Sequence, residues 1–230
     1  MSESFIQWVI EDTFIAGRPD WNKVGAEFVE SVHAYEEAKI RILNATHSCV
    51  AWAGTLKGLN YIHEDVATPE IRQMAYDYVT NDVIPSLHTA EHPCPIDLGN
   101  YRDVVLDRFG NSFVCDTNQR VAADGFTKLA GFIAPTIRDR LAVGESISSV
   151  ARLPALFLAF LEQWHVGKLP FSYQDQVMSP EVGHAICASS DPVSAFINER
   201  SCWEELAGNE TLRDALTEVR REIQAFVSRA

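Results

Sequence analysis

The stretch Tyr35-Glu36-Glu37-Ala38-Lys39-Ile40-Arg41-Ile42-Leu43-Asn44-Ala45-Thr46-His47-Ser48-Cys49-Val50-Ala51-Trp52 decides how the rest of the chain is read. Ile42, Leu43 and Val50, with the small residues Ala38, Ala45 and Ala53, recur at helical spacing, and Gly54 and Gly58 close the segment. The spacing predicts one long, mostly buried helix from near Ala34 past Trp52. Such a helix needs other helices around it, and the flanking sequence offers helical periods separated by turn signals. It lacks the regular strand and turn alternation of a sandwich, a barrel or a parallel sheet. The expected fold class is mainly α.

Upstream, Phe5, Trp8, Val9 and Ile10 followed by Glu11 and Asp12 suggest a short helix that ends at Gly17-Arg18-Pro19. The piece from Val24 to Val32 fits either a strand or a helix. Downstream, Thr68-Pro69-Glu70 predicts a helix start with Thr68 as N-cap, running through Tyr78 and stopping near Pro85. A proline-rich loop, His92-Pro93-Cys94-Pro95, follows. Further helices are expected over Tyr101–Phe109, Thr127–Leu141, Ile147–Trp164 with Pro154 as a kink or break, Pro192–Asn198 and Asn209–Val227. Gly167–Gln176 is turn-rich and hinge-like, yet no linker is long enough to split the chain, so residues 1–230 are expected to form one domain.

At 230 residues with 47% hydrophobic side chains, the chain can build a core without disulfides or structural metals. Nineteen Lys plus Arg stand against 32 Asp plus Glu, giving a formal charge of −13, and no basic run exists to hold nucleic acid or an anionic membrane. The five cysteines are odd in number and form no CxxC pair, which points to free thiols and a cytoplasmic location. The strongest apolar run, Pro154–Leu161, is far short of the ~20 residues that span a bilayer, and Met1 opens no secretory leader. No two of the twelve glycines stand in a GxG pair, so neither a dinucleotide fingerprint nor a P-loop is present. Nucleotide chemistry therefore calls for another polypeptide segment.

Three constellations carry polar chemistry. In the first, Lys39, Asn44 and His47 follow Glu36, and on an α-helix the four side chains fall within an arc of roughly 140°. A lysine between apolar walls can accept an alcohol proton, while an amide and an imidazole hold the oxygen as charge develops on it. The same residues also fit a solvated Glu36–Lys39 pair beside a satisfied core histidine. In the second, Asp116 through Lys128 forms a dense polar run with a turn at Asp124-Gly125, and Arg120 and Lys128 suit the hydroxyls of a sugar-like ligand or simple pairing with Asp124. The third, His88-Thr89-Ala90-Glu91-His92, has the H-x-x-E-H spacing of a zinc hydrolase but lies between Pro85 and Pro93, which leaves too little helix to carry it. His184 and Cys187 are a comparable coincidence without partners, so no metal is expected.

The segments Phe5–Asp12 with Gly17-Arg18-Pro19, and Tyr35–Ser48, resemble the polyol-specific long-chain dehydrogenases of the mannitol dehydrogenase family. Asp116–Lys128, and Leu153–Phe157 through Glu162–His165, look most like the branch that oxidises D-arabinitol at C4 to D-xylulose. The resemblance implies a multi-helical C-terminal domain similar to that of 6-phosphogluconate dehydrogenase, without the Rossmann domain that precedes it in the family. It implies Lys39 as general base, Asn44 and His47 on the reacting oxygen, Glu36 as an aid to proton movement, and Arg120 and Lys128 on the remaining hydroxyls. The implied cofactor is NAD, held mainly by an N-terminal Rossmann domain in cis or in trans, and the implied ligand is a small polyol. A non-catalytic helical interaction module or remnant, and the same family acting on mannitol or a hexuronate, remain as alternative readings.

Overall fold

The computed structural model describes residues 7–91 and 93–229. Its framework is a helix that runs unbroken from His33 to Leu56 in three parts: α1 (His33–Ala38), a π-helical turn over Lys39–Asn44, and α2 (Ala45–Leu56). Almost all of α2 is buried, Cys49 through Ala53 completely so, which explains why it is apolar around its whole circumference. Trp52 anchors it, packing tilted against Phe157 at 4.9 Å and donating its indole N–H to the Ala122 carbonyl at 3.2 Å.

The helices around it are α3 (Ile62–Ala67), α4 (Pro69–Tyr78), α5 (Ile84–Leu87), α6 (Leu98–Phe109), α7 (Asn118–Ala122), α8 (Gly125–Lys128), α9 (Ala134–Ala142), α10 (Arg152–His165), α11 (Pro180–Ala188), α12 (Pro192–Ile197), α13 (Arg200–Trp203) and α14 (Glu210–Ser228). The chain is mainly α. On α14, Leu212, Leu216, Val219, Ile223 and Phe226 form one buried stripe that packs on α10. Asp97, Asp191 and Asn209 each accept a backbone N–H at the start of α6, α12 and α14.

Several expectations are corrected. The predicted helix near the N-terminus is a strand, β1 (Trp8–Glu11), paired in parallel with β2 (Ala26–Val29); Phe5 and Ile6 lie outside the described residues. Trp8, Val9 and Ile10 are consecutive β-formers with no helical period, so pleated backbone suits them better. Thr68 precedes α4 with extended backbone, but its side chain makes no cap bond. The helix from Pro69 continues past Pro85 through a π turn at Val79–Val83 into α5. A matching π turn at Leu129–Ile133 precedes Pro135. Each proline sits at the second residue after its π turn, where the widened ring spares the chain an N–H that proline lacks. Pro154 lies in the first turn of α10 and kinks nothing, since its missing N–H would be unpaired there anyway. The H-x-x-E-H stretch is not helical: α5 stops at Leu87, His88 is extended, and His92 lies outside the described residues.

One buried acid ties the site-bearing segments together. Asp65 on α3 accepts from the Asn118 side chain at 3.1 Å, and that amide also donates to the Leu59 carbonyl at 3.0 Å. Burial raises the Asp65 carboxyl to about 7, with the Asn118 hydrogen bond opposing the rise. A carboxyl whose folded value lies above its unfolded value of about 4 stabilises the fold at low pH, and that contribution fades as pH rises toward about 7. Chemical denaturation of Asp65→Asn should therefore show its stability gaining on the parent between these limits, by at most about 1.4 kcal/mol per pH unit. A difference independent of pH would show that Asp65 does not titrate in the folded chain.

Candidate active site

The π turn sets the geometry of the first constellation. The Ala45 N–H donates to the Ile40 carbonyl, five residues back, so the backbone ring is one residue wider than in an α-helix. In an α-helix, residues five apart point about 140° from each other; in a π turn they lie nearly one above the other. Lys39 and Asn44 are five apart and bound the turn, so the widening draws their side chains toward one face. His47 follows one turn later on α2. The regular helix expected from the spacing is thus replaced by a tighter grouping of the same residues.

Burial differs among them. Glu36 and Lys39 are exposed, whereas Asn44 and His47 are half-buried. The apolar walls expected around Lys39 are therefore not formed by the described residues. The side-chain oxygen of Asn44 and Nε2 of His47 are both buried without a hydrogen-bond partner among the described residues. Unpaired buried polar atoms are costly, and these two stand three residues apart on the same helix.

His47 lies flat on Phe109 at 4.6 Å, and its Nε2 stands 3.2 Å from an Asp116 carboxylate oxygen, off the line of a good hydrogen bond. Burial pulls the His47 imidazole down to about 4; Asp116 opposes that shift, and the charges of Arg120 and Lys128 act with it. His47 is therefore neutral at physiological pH, with one ring nitrogen carrying a proton to donate.

Asp116 was not singled out by the sequence reading. It takes both forks of Arg120, at 2.7 and 2.5 Å, and so joins the helical constellation to the second polar run. Burial opposes its charge, but the Arg120 hydrogen bonds and the charges of His47 and Arg120 outweigh this and hold the carboxyl below the usual range. The segment is pinned by paired backbone: Ile62 N–H donates to the Asp116 carbonyl and Asn118 N–H to the Asn60 carbonyl, at 3.0 and 2.9 Å. Cys115 just before it has φ +52°, a strained left-handed turn for a non-glycine residue. The sequence signal was the i,i+4 spacing of Asp116 and Arg120.

Neither cation pairs with Asp124 as the alternative reading had it. Arg120 is exposed and bound to Asp116, while Lys128 is half-buried and donates to the Val121 carbonyl at 2.6 Å. Burial lowers the Lys128 ammonium from its ordinary value, against the pull of Asp124 and Asp175. Asp124 instead starts α8 in a left-handed turn and accepts from Gln176 N–H at 3.0 Å. Gly125 is required next, because a side chain there would meet the Phe157 ring at 2.1 Å. A pocket of about 90 Å³ beside His63, Phe109 and Asp116 is far too small for a dinucleotide. Between β1 and β2 there is only a four-residue 3₁₀ turn, Trp21–Val24, and no glycine-rich turn opening a helix. The described residues thus carry no dinucleotide fingerprint of their own. They form no cluster of three or more His, Cys, Asp or Glu side chains poised for a metal.

Residues 31–224 match the family described as the mannitol dehydrogenase C-terminal domain. The chain belongs to the mannitol dehydrogenase family. Over 226 residues it is 58% identical to the D-arabinitol 4-dehydrogenase of Ralstonia nicotianae, covering 98% of this chain and 48% of that protein. It is 50% identical to the D-arabinitol 4-dehydrogenase of Klebsiella pneumoniae, with the same coverage. Among solved structures, a Pseudomonas fluorescens mannitol 2-dehydrogenase in ternary complex with NAD and D-mannitol superposes with TM-score 0.80 at 27% identity, over 98% of this chain and 46% of that one. The chain thus spans about half the length of the relatives it matches. No helix among the described residues is long and apolar enough to cross a membrane.

The electrostatic arrangement predicts a specific titration. In a family member's terms Asp116 is the one group that raises the His47 midpoint, so Asp116→Asn should move it below about 4 while the other histidines stay in place. Proton NMR of the imidazole resonances checks this, and an upward movement would show that Asp116 does not act on His47.

Proposed function

We propose that this chain is the substrate-binding and proton-transferring part of an NAD-dependent polyol dehydrogenase, oxidising D-arabinitol at C4 to D-xylulose reversibly. Asn44 and His47 carry this reading: two buried, unpaired polar atoms on the face shared with Lys39. They suit an alcohol oxygen that gains negative charge as its proton leaves. Lys39 takes that proton, Glu36 passes it toward solvent, and the neutral His47 donates to the oxygen. Arg120 and Lys128 hold the other hydroxyls, Arg120 from the fixed platform of Asp116 and Lys128 from the end of α8. The relatives named D-arabinitol 4-dehydrogenase support the choice of substrate.

Residues 1–230 act as one helical substrate domain. NAD is held by a Rossmann domain in cis or in trans. Five free cysteines suit a cytoplasmic setting. The exposure of Lys39 fits this division, since a general base works only where water is kept from it. Cover by the cofactor-bearing domain would activate the base.

In the complete enzyme, Lys39→Ala should lower kcat with D-arabinitol by about 10²–10⁴-fold at neutral pH and leave the melting temperature unchanged. Near-normal turnover would overturn the assignment of the base. Lys128→Ala should act mainly on KM, and a preference for D-mannitol over D-arabinitol in the parent enzyme would overturn the substrate while keeping the reaction class.

A further inference from the structure

His165 ends α10 and His184 lies on α11, and their Nδ1 atoms face each other at 2.8 Å. The two helices run in opposite directions here: Trp164 and His165 meet His184, while Cys187, one turn along α11, feels the charge of Glu162, one turn back on α10. The pair is held in place. The Trp164 indole stacks on the His184 ring at 4.4 Å and 14°, and it comes this close because residue 183 is glycine; a side chain there would stand 2.8 Å from the indole. Each imidazole thus presents its Nδ1 to the other, within reach of one shared proton or cation.

We propose that His165 and His184 chelate a divalent cation of the zinc class through their two Nδ1 atoms, with water completing the coordination. At a tetrahedral angle, zinc–nitrogen bonds of about 2.0–2.1 Å put two ligand nitrogens about 3.3 Å apart, so the 2.8 Å pair needs to open by about half an ångström. In that exchange the cation takes the place of the proton shared between the rings. His165 lies in the last turn of α10, where the helix dipole favours positive charge, and Glu181, which interacts electrostatically with His184, adds to that field. Glu162 is engaged by Arg220 at 2.5 Å, which leaves it outside the site.

The position gives the ion a consequence. The two histidines bracket the connection between α10 and α11, which braces the start of α8: Gly125 N–H donates to the Tyr173 hydroxyl at 3.2 Å and Phe126 N–H to the Asp175 carboxylate at 3.0 Å. A clip across the ends of this connection would steady the segment that presents Lys128.

The test is calorimetric titration of the EDTA-stripped chain with zinc chloride, beside His165→Gln, His184→Gln and Cys187→Ser. One equivalent should bind, weakened at least about tenfold in either histidine variant and unchanged in Cys187→Ser. Hydrogen exchange at Gly125 and Phe126 should slow with zinc in the parent alone, and circular dichroism in EDTA should be the same for all four proteins. No zinc uptake by the parent, equal binding by the histidine variants, or loss of binding in Cys187→Ser would overturn the chelate. Zinc binding without slower exchange would overturn the bracing.

Discussion

A single backbone hydrogen bond, from Ala45 N–H to the Ile40 carbonyl, governs how this molecule presents its chemistry. By reaching five residues back it widens one turn of an otherwise α-helical rod, and the extra residue rotates everything beyond it relative to what precedes it. Without the widening, a register that buries Val50, Ala51 and Trp52 would leave Lys39 turned well away from Asn44. With it, the same rod serves two masters: its C-terminal half is core on every side, and its middle gathers polar groups on one face. The packed neighbours hold the turn in place, since the π turn at Leu129–Ile133 and that at Val79–Val83 both lie against it.

The electrostatics follow from where the rod is buried. His47 is half-buried against Phe109, and that burial outweighs the nearby Asp116 carboxylate, so the imidazole stays neutral. Asp116 in turn keeps its charge because Arg120 grips both of its oxygens. A neutral donor, a fixed anion and a tethered cation in series make a site whose charges are settled before any ligand arrives. Preorganisation of this kind places the reorganisation cost in folding rather than in the reaction.

Much of this was legible in the sequence, for local reasons. The stripe on α14 and the start of that helix at Asn209 are short-range patterns, and short-range patterns survive in a sequence. Lys39, Asn44 and His47 stood out by type and spacing, and Arg120 and Lys128 as cations in an acidic chain. The π turn that precedes Pro85 has a signal in that proline, which reads in sequence as a stop, whereas Pro135 stands inside the helix expected over Thr127–Leu141 and the widened turn before it goes unread. The turn at Lys39 had none, because it is imposed by packing on both sides. Asp116 escaped notice because its meaning depends on His47, far away in sequence and brought near by the bridge between Tyr61 and Thr117. The strand β1 was misread because four residues hold too little period to separate strand from helix.

The contrast between the two ends of the site has a physical meaning. Asn44, His47 and Asp116 are partly buried and Arg120, itself exposed, is tied to Asp116, whereas Lys39 and Glu36 look into solvent. A general base works only when water is kept from it, and an oxygen-binding pair works only when its own geometry is fixed. The helical region meets the second requirement alone and leaves the first to whatever surface closes over Lys39. Under the proposed function, binding and base activation would thereby be separated in space, the polyol held by groups already in place and proton removal left to the covering surface.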